Sequence, residues 1–585
     1  MPPRLGKGAA YLYVLLGLAG LVNLSGLFNT IQEPDAALYA GIARRVAESG
    51  DWVDLMSMGK DWLDKPHLPF WIAALSFKLF GVSTAAYKLP AVITLFAGAL
   101  YTYLLGRDLV SRRVGFLAAF ILLCSQHIIL SNSDVRAEPY LTAFLVASVY
   151  HLRRVLAPLP SPAGGAFRRY ILNLVAGSIF AACAIMTKGI FTGFIILGGF
   201  TVDTLLTGTW RWLLTWRWLL ILMLTGFFVL PELYCLHQQF DLHPSKIVFG
   251  RTHVSGLRFF FWDSQFGRFT NEGPIKGNGN PLFFLHTLLW AFLPWPFVLV
   301  GALRQGILDL WQARTGAKQA SGAKEFSRRG SAGQGLAGRY LCAGIGCCGL
   351  LLFSASRFQL PHYTNILFPF FAIICASYLE RLKKSATLYI IQYGVSGLLI
   401  IALVVILWLI RPPASTYWIL VLAAHAYLGT WWFVRSLLRA KPVTKSCLVS
   451  GLTVLFVNVC LNLLVYPLIL HYQGGSEAAF FMNKAYPGVP FRQEGGYSYA
   501  LSFYARSQET FTSTGGGSFS GKQLIFVART SQYPAKSGIQ EGRIGIPLRT
   551  FYNYHTTKLS LPFLFWKTRS ETLEKSVLVL LKNQE

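Results

Sequence analysis

Acidic residues are scarce in this chain: 25 Asp and Glu stand against 53 Lys and Arg in 585 residues. Charge of either sign is scarce too. Charged residues make up 13% and hydrophobic residues 54%, whereas a soluble domain carries roughly 25% charged residues. That leaves too little polar surface for a water-soluble protein, so the bilayer is the natural solvent. The net charge of +28 then implies no nucleic-acid partner, because Lys- and Arg-rich cytoplasmic loops give a membrane protein the same excess. Nine cysteines are present, nearly all in apolar runs and none after residue 475. They form no CxxC pattern or disulfide framework. His67, His243, His253, His286 and His362 show no HxxxH or HExxH spacing, so neither a metal nor another cofactor is expected.

A membrane-crossing helix needs about 20 apolar residues. Thirteen stretches qualify, near 9–29, 89–106, 114–130, 138–156, 170–187, 189–207, 217–236, 281–302, 340–354, 360–378, 386–410, 414–434 and 447–470. Every second loop is basic, as with Arg112 and Arg113, Arg153 and Arg154, Arg328 and Arg329, and Lys383 and Lys384. The positive-inside rule places those loops and the N-terminus in the cytoplasm. An odd count puts the C-terminus outside. The expected fold class is a multi-pass α-helical membrane protein of about 13 transmembrane helices. Residues 1–475 form the membrane domain, with long outer loops at 30–88 and 237–280. Residues 476–585 form a small periplasmic α/β domain, whose β-rich runs Gln523–Ala528 and Ser576–Leu581 alternate with turns such as Thr514–Ser518. The Gly, Ala, Ser and basic segment 311–338 reads as a flexible cytoplasmic loop.

The first outer loop carries the sharpest motif. Tyr39, Ile42, Ala43 and Val46 share one helical face and Arg44, Arg45 and Glu48 the other, which suits a helix lying along the membrane surface. Asp35 precedes it, and Lys65 follows in Trp62-Leu63-Asp64-Lys65-Pro66-His67. An outward carboxylate and a lysine at headgroup depth suit chemistry on a lipid phosphate: the cation steadies a leaving phosphate and the carboxylate deprotonates an acceptor. Asp35 also stands where it could simply N-cap the helix 36–47, and Lys65 alone could be a solvated lysine.

Asp35-x-x-x-Tyr39-Ala40-x-Ile42-Ala43, Ser49-Gly50-Asp51-Trp52, Asp64-Lys65-Pro66 and Ala74–Gly81 resemble the lipid-carrier-dependent glycosyltransferases of GT-C fold. That family includes the lipid A aminoarabinose transferases and is related to the protein O-mannosyltransferases. The resemblance makes Asp35 the presumed base and Lys65 the residue holding the donor phosphate. It implies a polyprenyl (undecaprenyl) phosphate-sugar donor, membrane lipids as surroundings, and a glycolipid, glycan or protein acceptor at the periplasmic face of a bacterial inner membrane. Two departures stand out: Leu38 where the family often has Arg, and Trp62 where it often has Tyr.

Further positions carry the resemblance. Glu138, in Glu138-Pro139-Tyr140-Leu141-Thr142, matches the family's second acid. Asp134 is an additional catalytic candidate without a counterpart, and its bland reading is an ion pair with Arg136 and a cap for span four. Arg268 among aromatics suits a lipid phosphate and matches the basic residue ahead of span eight. Tyr363, in Leu360-Pro361-His362-Tyr363, matches the tyrosine near the phosphate, with Gln359 where a lysine is usual and Arg357 two residues earlier as a substitute. Lys188-Gly189 resembles a family turn but reads first as a tight turn with an interfacial lysine. Ser498–Tyr504 resembles an element of the soluble domain. With one base and no paired nucleophile, inversion at the anomeric carbon is expected. A transporter or flippase of lipid-linked sugar is the other reading, but transporters gather charge near the midplane, and here the ionisable residues collect at outer ends. A ligase using a lipid-diphosphate donor stays open without the resemblance.

Overall fold

The computed structural model describes residues 10–157, 165–272, 276–314, 340–382, 384–438, 440–511, 522–529 and 543–583. Expectations that fell on 315–338 and on Thr514–Ser518 lie outside these. Among the described residues seven helices are long and apolar enough to cross a bilayer, eight if the pair Arg112–Leu123 and Gln126–Ser133, bent by 54°, is one span. Shorter apolar helices such as Phe191–Leu206 and Leu341–Ala355 stand beside them.

The span expected at 114–130 is therefore broken, and Ser125 sits at the break with its hydroxyl turned back to the Ile121 carbonyl. The stretch 281–302 also divides, into Phe283–Ala291 and Pro296–Arg314. Pro294 in the connection and Pro296 at the start of the second helix lack the N–H groups a continuous helix needs. Leu117, Phe120, Leu145, Trp295 and Phe368 interlock in the main apolar core.

The long loop after the first helix holds an amphipathic helix, Asp35–Ser49, and an apolar one, Leu68–Phe80. Ala36, Ala37, Ala40 and Ala43 of the first and Phe70, Ala73, Ala74 and Phe77 of the second share one core. Between them lies a hairpin of β1 (Met56–Ser57) and β2 (Lys60–Asp61). Gln239 holds this hairpin down: its side chain accepts from the Leu55 N–H at 3.1 Å and donates to the Leu55 carbonyl at 2.8 Å.

The C-terminal part folds as a four-stranded sheet. Its strands are β3 (Phe491–Glu494), β4 (Gln523–Val527), β5 (Arg543–Asn553) and β6 (Glu574–Asn583), in the order β3-β4-β6-β5. The two runs picked out by β-propensity are neighbours, Gln523 opposite Leu581. The helix Tyr499–Tyr504 docks this unit on the Asp35 segment. The Tyr504 hydroxyl accepts the Ile31 N–H at 2.8 Å, and Glu33 accepts from Ser498 Oγ and the Ala500 N–H at 2.7 Å each. Arg44 Nη1 donates to the carbonyls of Ser502, Phe503 and Ala505, which satisfies acceptors that a helix C-terminus leaves open.

Candidate active site

The helix Asp35–Ser49 starts with Asp35 as its first residue; Pro34 holds the cap position and no side-chain cap bond forms. The capping role considered for Asp35 is thus corrected. Its carboxylate turns instead to Arg136, whose Nη1 lies 2.6 Å from Asp35 Oδ2. The same guanidinium reaches Asp134, with Nη2 2.9 Å from Oδ2. Arg136 is therefore a bridge between two carboxylates from two loops. Asp35 keeps 40% of its side chain exposed, against 18% for Asp134. Burial pushes the Asp134 carboxyl up, with the Arg136 charge opposing it. Asp134 does not cap span four: Ala137 precedes the helix Glu138–Leu156 without a side-chain cap, and Asp134 instead ends the helix Gln126–Ser133, its N–H bonded to the Leu130 carbonyl.

Glu138 is buried and forms an ion pair with Lys188, and His362 Nε2 lies 3.5 Å from its Oε1. Lys188 closes the helix Ala166–Lys188, and its ammonium lies 3.9 Å from the centre of the Tyr363 ring. Lysine at this point read as interfacial from the sequence; the structure buries it. The signal available was an ionisable residue at the end of an apolar span, which is costly unless it is partnered. Its partner stands 50 residues away and no local pattern announces it.

Lys65 and Arg268 meet through Asp64. Lys65 pairs with one carboxylate oxygen, and Arg268 Nη2 lies 3.2 Å from the other. The Arg268 guanidinium also lies over the Phe358 ring, 5.4 Å from its centre. Burial pushes the Asp64 carboxyl up, but the two cations outweigh it and hold the group below its ordinary range. Asp64, Lys65, Lys188, Arg268 and Tyr363 line one cleft with about 750 Å³ of empty space. Leu63, Phe191, Phe259, Phe260, Leu352 and Phe353 supply its apolar wall. The three residues expected to hold a phosphate, Lys65, Arg268 and Tyr363, thus converge. Gln359 does not face the cleft; it accepts the Asn280 N–H at 2.8 Å. Arg357 is not among the lining residues either.

Tyr39 lies between the two groups of charges. Burial, with the Asp64, Asp35 and Glu138 carboxylates adding to it, pushes its phenol well up. The arrangement offers a partly exposed, cation-oriented carboxylate on one side. On the other it offers an apolar-walled cleft with three cations, suited to a singly or doubly charged anion on an apolar stem.

Residues 18–247 match the family model described as dolichyl-phosphate-mannose-protein mannosyltransferase. The undecaprenyl phosphate-alpha-4-amino-4-deoxy-L-arabinose arabinosyl transferase of Edwardsiella ictaluri is 28% identical over 374 residues, 63% of this chain and 59% of the relative. The enzyme of the same name from Pseudomonas aeruginosa (strain UCBPP-PA14) is 27% identical over 304 residues, 52% of this chain and 51% of the relative. The chain therefore matches between half and three fifths of the length of these relatives. The crystal structure of ArnT from Cupriavidus metallidurans bound to undecaprenyl phosphate superposes with a TM-score of 0.69 at 16% identity, covering 98% of each chain. The fold is thus that of a GT-C membrane protein. The chain resembles the lipid-carrier-dependent glycosyltransferases, the aminoarabinose transferases among them, and over residues 18–247 the protein mannosyltransferases.

Proposed function

We propose that this chain is an integral membrane glycosyltransferase that moves a sugar from a polyprenyl phosphate to a lipid, glycan or protein acceptor. The observation that carries this reading is the convergence of Lys65, Lys188, Arg268 and Tyr363, from four distant segments, on one apolar-walled cleft. The cations hold the donor's phosphate and stabilise it as it leaves, which preorganised charges in a site of low dielectric do best. Asp35, oriented by Arg136, takes the proton of the acceptor as it attacks the anomeric carbon from the side opposite the phosphate. The sugar's configuration is then inverted. Asp134 steadies Arg136, and Glu138 steadies Lys188, so these two acids act through their cations.

The chain crosses a bacterial inner membrane thirteen times, with its N-terminus in the cytoplasm. Residues 476–585 form a periplasmic domain, with 1–475 as the membrane domain. This arrangement rests on the alternation of basic loops. It puts Asp35, Lys65 and Arg268 on the outer side. The names of the relatives favour transfer over flipping.

The test is transfer from a polyprenyl-phosphate sugar by the purified full chain, with acceptors identified by mass spectrometry of lipids and glycans from a deletion strain. Loss of one sugar from one acceptor class is expected. Unchanged glycans and lipids would reject the reading, and retained configuration in the product would reject the direct displacement.

A further inference from the structure

Glu232 lies inside the apolar helix Arg217–Leu236 and is fully buried. A lone carboxylate in such a helix is costly unless it is paired. Its partner is His67, two residues beyond Lys65. The His67 N–H donates to Glu232 Oε2 at 2.9 Å, and its ring Nδ1 lies 3.0 Å from Glu232 Oε1. The other ring nitrogen, Nε2, lies 2.9 Å from the Val53 carbonyl oxygen.

A carbonyl oxygen and a carboxylate can only accept hydrogen bonds, while a neutral imidazole has one N–H to give. With an acceptor at each nitrogen, the ring that fits is the imidazolium. The groups facing it agree. Glu232 stands on one side and Asp54 nearby, and the Trp71 ring lies 5.4 Å away between centres. Lys246, the nearby cation, is engaged by Asp54 at 3.7 Å and Asp61 at 2.9 Å. Burial pushes the His67 ring down, but Glu232 outweighs it and the group is raised.

We propose that Glu232 and the His67 imidazolium form a buried strut that positions Lys65. Glu232 grips both the backbone and the ring of His67, so the rigid Lys65-Pro66-His67 segment is fixed against a membrane helix. The height of the Lys65 ammonium over the cleft follows from that grip. The strut rests on the reading of Lys65 as a phosphate-binding residue. The two are positioning residues: Glu232 borders the cleft, but both its oxygens are turned to His67, so it acts on the donor through Lys65. A misplacement of about 1 Å in such a group can cost roughly 10²-fold in rate.

The test uses the full chain in lipid nanodiscs, undecaprenyl phosphate as the binding probe, and sugar transfer as a second readout. Lys65→Ala is expected to weaken binding of the probe; unchanged binding would remove the phosphate role of Lys65, and with it the basis of the strut. Glu232→Gln is expected to weaken binding and to slow transfer by roughly 10²-fold. In the Lys65→Ala background the same change should add nothing. If Lys65→Ala weakens binding while Glu232→Gln does not, or if the two effects add, the strut is overturned and the Lys65 reading stands. Nitrogen-15 spectra of histidine-labelled wild-type protein give a check that does not depend on Glu232→Gln folding. The His67 resonances, identified by their loss in His67→Gln, should show both ring nitrogens protonated at pH 7. The signature of a neutral tautomer would overturn the proposal.

Discussion

Arg136 Nη1 lies 2.6 Å from Asp35 Oδ2, across 101 residues of sequence. This contact aims the most exposed acid of the site and ties the start of the helix Asp35–Ser49 to the segment before the helix Glu138–Leu156. Its consequence is that Asp35 can be changed without touching a helix cap.

Asp35→Asn should abolish turnover and leave donor binding and folding near wild type. Loss of a general base costs about 10²–10⁴-fold, and Pro34, not Asp35, occupies the cap. Turnover, probe binding and melting temperature measured on one preparation check this. Wild-type turnover would end the base assignment.

Lys65→Ala and Arg268→Ala should each slow transfer by about 10²–10³-fold. The double variant should fall short of the product, because both cations share Asp64 and act on one phosphate. Tyr363→Phe should cost less, since it removes a neutral donor. Rates for the singles and the double decide it; independent, small effects would disperse the cleft.

Lys188→Met should lower the melting temperature sharply, because it leaves the buried Glu138 carboxylate with only His362, at 3.5 Å, beside it. Breaking such a pair from one side costs about 3–5 kcal/mol, while replacing both partners by apolar groups is often neutral. Lys188→Met/Glu138→Leu should therefore regain stability without regaining transfer. A double variant as unstable as the single would contradict this account.

Acid should loosen the cleft through Asp64. Its carboxyl is held below the ordinary value of 3.8 in the folded chain. The stability it adds is complete above that unfolded value and is lost as pH falls through the lower folded one. Asp64→Asn should flatten the melting curve's pH dependence below about pH 4. Equal acid sensitivity in both proteins would assign the effect to another group.

Tyr504→Phe should loosen the C-terminal unit from the Asp35 helix. It strips the acceptor from the Ile31 N–H and the partner from Thr84 Oγ1. A donor left unpaired in this way costs about 1–3 kcal/mol. Faster proteolysis after the membrane domain, with the sheet itself intact, is the expected result.

What the sequence by itself determined were the features carried by local pattern. Apolar runs marked the helices and composition marked the change near residue 476. β-rich composition found the run Gln523–Ala528, which holds the strand Gln523–Val527, and spacing found the Asp35 helix. Asp35, Lys65 and Arg268 stood out as charges beside apolar spans, and Glu138 and Tyr363 by their resemblance to the family's motifs. What the sequence left open was which charge meets which. Asp35 could have capped its helix, and only the fold brings Arg136 to it. Lys188 could have faced water, and only the fold sets it against Glu138 and Tyr363. Glu232, one acid in an apolar run, gained meaning only when helix packing placed it on His67. Tertiary structure decided these because ion pairing in a site of low dielectric depends on distance in space. Periodicity along a chain encodes the faces of helices, but not which distant charge will lie across the cleft.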